Sequence, residues 1–115
     1  MRFMSLWRPA PTADLTSERM FAEMNKLVEE STRSGVLVAT GGWDPRSPAT
    51  VVRNTDGKVT ITDGPYSEAK EVIAGYAILE CRSKEHAIEE SKKFMKIAGE
   101  GVCELRQLGE PPPGR

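Results

Sequence analysis

Residues 75–98 read GYAILECRSKEHAIEESKKFMKIA, and the spacing of the apolar groups changes partway along. From Gly75 to Cys81 the side chains alternate: Ala77, Leu79 and Cys81 point one way, Tyr76, Ile78 and Glu80 the other. That two-residue period predicts a strand. Ser83 is a capping residue, and beyond it Ala87, Ile88, Ser91, Phe94, Met95 and Ala98 share one face of a helix that Gly99 or Gly101 ends. Gly101 to Gln107 (GVCELRQ) returns to alternation, with Cys103 and Leu105 opposed to Val102, Glu104 and Arg106. Upstream, Thr50–Asn54 and Lys58–Thr62 flank Thr55-Asp56-Gly57, and Asp-Gly between β-branched runs predicts a hairpin. Val36–Thr40 reads as a strand stopped by Gly41-Gly42, and Gly42–Ala49 (GWDPRSPA) as a loop. After Asp14-Leu15-Thr16-Ser17-Glu18, a cluster of cap-type residues, Met20, Phe21, Met24, Leu27 and Val28 predict an amphipathic helix over 16–34, with Gly35 just past its end. Residues 2–8 (RFMSLWR) form a first strand, ended by Pro9 and Pro11.

The order is strand, helix, strand, hairpin, strand, helix, strand. With the hairpin as an insertion this is an α+β, ferredoxin-like βαββαβ arrangement over 1–115, with residues 109–115 (GEPPPGR) a tail that has nothing to pack. Both helices then cover one face of an antiparallel sheet. The other face carries Tyr76, Ile78 and Val102 together with aromatic residues of the first strand, too apolar for water. It also carries Glu80, Glu104 and Arg106, too charged for a sealed core. A second copy of the same sheet, enclosing a small polar pocket, accommodates both, and a homodimer is the expectation.

Composition narrows the chemistry. The chain has 115 residues with 16 basic and 17 acidic side chains and a net charge of −1, so the basic footprint of a nucleic-acid or membrane-surface binder is missing. The longest nearly apolar run, Val72 to Leu79, is too short to span a bilayer. No apolar segment resembling a secretory signal follows Met1, and a cytoplasmic location is expected. Cys81 and Cys103 form no CxxC pair and read as small core hydrophobes. The single histidine, His86, cannot build a multi-histidine metal site and reads as a solvated residue at a helix start. Glu29-Glu30 and Glu89-Glu90 are adjacent on helices, about 100° apart, and read as solvated faces. No phosphate-cradling glycine motif or nucleophile elbow occurs, so neither a nucleotide cofactor nor a metal is expected.

The segment DGPYSEAKEVIAGYAILE, Asp63 to Glu80, closely resembles the signature of the YCII-related family, in the subgroup named for an Asp-Gly-Pro-Phe motif, with Tyr66 at the fourth place. The opening RFM strand, SGVLVATGG after the first helix, SKEHAIE and the closing CELRQL extend the resemblance over nearly the whole chain. It implies a dimeric α/β barrel in which two ferredoxin-like sheets face one another. That fold also hosts muconolactone-isomerase-like enzymes, monooxygenases and ligand-binding regulators. Members of the subgroup often sit beside extracytoplasmic-function sigma factors, which implies a regulatory or accessory role. Some relatives are held to use a histidine with an aspartate, a pairing that His86 alone does not carry over.

Read physically, Gly64-Pro65 forces a tight turn that aims Asp63 and Tyr66 in fixed directions. One reading makes this a ligand site, with Asp63 as proton acceptor, Tyr66 as an aromatic wall, and Glu68 and Lys70 at the mouth. The other makes Asp63 a brace that caps the turn at Ser67–Glu71, with Glu68 and Lys70 in surface ion pairs. Trp43 either flanks a pocket or pins its loop. Glu80 and Glu104 are alternative acid–base groups inside a barrel, and Arg106 is suited to orient an anionic group. Two functions follow: a dimer binding a small, anionic molecule with isomerase- or lyase-type chemistry, or an accessory protein docked on a sigma factor.

Overall fold

The computed structural model describes residues 1–43, 49–64 and 73–109. The elements run β1 (Arg2–Pro9), α1 (Glu18–Arg33), β2 (Leu37–Gly42), β3 (Ala49–Thr55), β4 (Lys58–Gly64), β5 (Gly75–Glu80), α2 (Lys84–Ala98) and β6 (Gly101–Gln107). Four strands form one sheet in the order β2-β5-β1-β6, with every neighbouring pair antiparallel. Leaving β3 and β4 aside, this is the split βαβ arrangement, and both helices lie over one face.

Register fixes which side chains meet the helices. Phe3 pairs with Leu79, Ser5 with Ala77 and Leu105, and Trp7 with Gly75 and Cys103. Phe3, Leu79 and Cys81 pack with Ala87 of α2 as the buried core, edged by Val36, Leu37, Ala77 and Leu105. The aromatic residues of β1 therefore lie under the helices and not on the open face. Met4 and Leu6 occupy the open face instead, opposite Ile78 and Tyr76. Both cysteines are free thiols, Cys81 buried and Cys103 half-buried against Ser5.

The helix caps follow the sequence signals. The hydroxyl of Ser17 accepts from the Met20 N–H at 3.2 Å, and that of Ser83 from the His86 N–H at 3.1 Å. β2 does not stop at its glycines: Gly41 pairs with Tyr76 and Gly42 with Gly75. A Cβ on Gly41 would lie 2.7 Å from Cε1 of Tyr76, so the glycine makes room for the ring instead of breaking the strand. At the β3–β4 hairpin, Asp56 has φ 52° and Gly57 φ 80°, the signature of a two-residue type I′ turn. The hairpin is its own two-stranded sheet, with Val52, Val59 and Ile61 all more than half exposed. Among the described residues no helix is long and apolar enough to cross a membrane.

Candidate functional site

Helix α1 is strongly amphipathic, yet none of its residues is buried. Its apolar stripe of Met20, Phe21, Met24, Leu27 and Val28 looks onto a cavity of about 630 Å³. The sheet contributes Ser5, Trp7, Leu37, Thr40, Ala77 and Leu79 to the lining, and α2 contributes Glu90, Ser91 and Phe94. The space is partly open to solvent and of a size that suits a small molecule. Trp7 and Phe94 meet edge to face, centroids 5.5 Å apart at 85°, and hold each other's orientation. Near them the Trp43 N–H donates to the Ala74 carbonyl at 2.9 Å, and the Ala74 N–H donates to the Trp7 carbonyl at 2.8 Å. That relay ties the end of β2 and the segment before β5 to β1.

The cavity wall is mainly apolar, and its polar groups are mostly engaged. Thr16 donates to Asp14 at 2.7 Å, Thr40 to the Tyr76 carbonyl at 2.9 Å and Ser91 to the Ala87 carbonyl at 2.9 Å. Ser5 shares a hydrogen with the Cys103 sulfur at 2.8 Å. The indole Nε1–H of Trp7 is buried with no acceptor among the described residues. Asp14 has its carboxyl held below the ordinary range by the hydrogen bonds from the Thr16 hydroxyl and N–H.

Of the residues named from the sequence, Trp43 lines this cavity and Asp63, Glu80, Glu104 and Arg106 do not. Asp63 sits on the exposed hairpin, where it accepts from its cross-strand partner Thr50 at 2.6 Å. Glu80 lies at the end of β5 between the chain amino group at 3.0 Å and Arg2 at 3.5 Å. The hydrogen bond from that amino group is the main reason its carboxyl is lowered. Glu104 is clamped by Arg106 at 2.6 Å and Arg8 at 3.2 Å, and Arg106 does most to hold its carboxyl down. Tyr66, Glu68 and Lys70, and the turn at Ser67–Glu71, lie outside the described residues.

A second, more open depression adjoins the first, sharing Leu27, Ser31, Val36 and Glu90 with it, and there Cys81, Arg82, His86, Glu90 and Lys93 converge. His86 is not the solvated residue expected. Its side chain is 18% exposed, Nδ1 accepts from the Arg82 N–H at 3.1 Å, and Nε2 faces Glu90 at 3.6 Å. Glu90, at 14%, likewise leaves the solvated face predicted for it and pairs with Lys93 at 3.1 Å. Burial first, and the Glu90 charge second, push the Cys81 thiol up. No group of three His, Cys, Asp or Glu side chains among the described residues is arranged to hold a metal ion.

Trp7, Met24, Phe94 and Glu90 are the site residues that sequence reasoning missed. The first three carry an ordinary core signal, apolar positions at strand or helix spacing, and periodicity alone does not distinguish a wall from a filled core.

The family model for the YCII-related domain matches residues 1–108. An uncharacterised protein of Rhizobium meliloti (strain 1021) is 24% identical over 98 residues, covering 84% of this chain and 79% of that relative. A family match that runs from β1 through β6 takes in every strand and helix that frames the cavity, and the chain belongs to the YCII-related family.

Proposed function

We propose that the protein is a homodimer that binds one small, mainly apolar molecule per chain in the cavity beneath α1. The observation that carries this reading is an amphipathic helix whose apolar stripe faces about 630 Å³ of unfilled space. A stripe of that composition gains stability only when apolar surface covers it, at about 25 cal/mol per Å². A ligand of drug-like size supplies that surface. None of Asp63, Glu80 and Glu104 lines the cavity, so the reading is one of binding, and Asp63 serves as a cross-strand brace.

Dimerisation draws on the open sheet face. Met4 and Leu6 of β1 lie opposite Ile78 and Tyr76 of β5, and Val102, opposite Arg8 on the edge strand, is 58% exposed. The Arg8–Glu104–Arg106 cluster at one edge offers both signs of charge to a symmetric copy. The reading as an accessory protein docked on a sigma factor draws on the hairpin, where Val52, Val59 and Ile61 stand in water.

The test is a thermal-shift screen of small lactones, ketones and acids on the wild type and on Ala77→Leu, whose longer side chain enters the cavity floor. The binding reading expects several ligands to raise the melting temperature of the wild type. It expects Ala77→Leu to melt higher without ligand and to lose the response. A response that survives in Ala77→Leu at full size places the ligand elsewhere. Ile61→Lys separates the docking reading, since it leaves ligand binding intact and weakens only an association with a sigma factor.

A further inference from the structure

We propose that the occupant of the cavity is an organic cation, an amine with a mainly apolar body whose ammonium pairs with Glu90; this rests on the binding reading above and adds the sign of the charge to it. Among the described residues Glu90 is the one charged side chain on that wall, and no lysine or arginine joins it there. It stands on a partition, because it lines the adjoining depression as well. The partners that meet it, Lys93 at 3.1 Å and His86 at 3.6 Å, both line the depression and not the cavity. Both meet the same oxygen, Oε1. The second oxygen, Oε2, takes no hydrogen bond or ion pair among the described residues. With its side chain 14% exposed, Glu90 has little water to make up the difference, and a carboxylate short of partners favours a cation brought against it. Lys93 is 60% exposed, so solvent weakens its pull on Glu90 and leaves room for a second ammonium.

The rest of the wall suits the same guest. Phe94 follows Glu90 by one turn of α2, which sets the carboxylate beside the ring, and Phe94 in turn meets Trp7 edge to face. Phe21 and Trp43 line the cavity while about half exposed, and so border its opening to solvent. Aromatic faces attract cations. The opening lets an ammonium keep part of its hydration, which lowers the cost of bringing it in from water. Ser31 and Tyr76 add hydroxyl groups to the lining, and a hydroxyl serves a polar guest of either sign. Glu90 sets the sign: an anion in the same place would lose its hydration and meet a like charge. A neutral ketone or lactone fits the apolar part of the space alone.

Three probes of matched shape test this by calorimetry on the full chain at low salt: 2-aminoindane as its ammonium, indane, and indane-2-carboxylate. The expected result is that 2-aminoindane binds about 10-fold tighter than indane, and that the carboxylate binds more weakly than indane. Glu90→Gln keeps the shape and removes the charge, so 2-aminoindane should fall to the affinity of indane while indane itself binds as before. Lys93→Met removes the competing ammonium, so the preference for 2-aminoindane over indane should widen. That second variant carries the test if Glu90→Gln does not fold, and a Glu90 that only braces α2 would leave the preference where it was. A preference that keeps its wild-type value in either variant overturns the assignment to Glu90. Equal affinity for 2-aminoindane and indane in the wild type overturns the cation and leaves the binding reading standing. Tightest binding by the carboxylate overturns it in favour of an anion. Failure of all three to bind removes the binding reading, and this inference with it.

Discussion

Asp63 and Glu104 are both carboxylates on strands, yet the structure gives them different work. Asp63 accepts one hydrogen bond from Thr50 on an exposed hairpin, a cross-strand pair of the kind that contributes about 0.2–1 kcal/mol. Asp63→Asn keeps an acceptor facing Thr50, so the melting temperature and the ligand response should both stay at wild-type values. Asp63→Ala should lose a small part of the stability and none of the binding. A ligand response abolished by Asp63→Asn would return the aspartate to the site. Glu104 is held ionised by Arg106 and Arg8, so its carboxyl titrates lower in the folded chain than in the unfolded one. The sign follows: its contribution is present above the ordinary glutamate range, about pH 4.3, and is lost as pH falls through the lowered folded value. Melting curves taken from about pH 5 down to pH 2 should show a gentler acid decline for Glu104→Gln than for the wild type. Cys81 is raised by burial, so a thiol reagent should label it only after unfolding. Rapid labelling of both thiols in the native protein would contradict its place under α2.

The elements were legible where pattern and backbone chemistry agree. Ser17 and Ser83 as caps, Gly35 at φ 83° after α1, and Asp56-Gly57 in the hairpin turn are local signals that tertiary contacts did not override. Gly41-Gly42 misled because glycine has two uses: it breaks strands by its freedom, and it also lets a neighbour lie flat against the backbone. The second use holds here, and only the Tyr76 register reveals it. Gly41→Ala should displace the Tyr76 ring and cost about 1 kcal/mol in urea unfolding. The α1 stripe was legible as apolar and helical, but a sequence does not say how far a helix stands from its sheet, and so the cavity was invisible. The same blindness put the aromatic side chains of β1 on the open face, since β1 alternates large apolar groups on both sides and only its pairing with β5 decides between them.

At the scale of the whole molecule, the helices cover one face of the sheet and the hairpin stands apart as a separate sheet, leaving Tyr76, Ile78 and Val102 on an uncovered surface. Sedimentation at micromolar concentration should give twice the mass of the chain, and Ile78→Glu should give the mass of one. A wild-type protein that sediments as a single chain would remove the dimer from the proposal. The stand-off of α1 has a consequence in time as well as space. Its amide hydrogens are held by a helix with no buried residue, whereas those of β1 lie in the middle of the sheet over Phe3 and Ser5. Local opening of α1 should thus need far less free energy than global unfolding, and its amides should exchange with deuterium ahead of those in β1 and β5. The same opening would widen the way into the cavity, which is already partly open to solvent. A bound occupant should then slow exchange along α1 first, making the helix both the door and the reporter of what lies behind it.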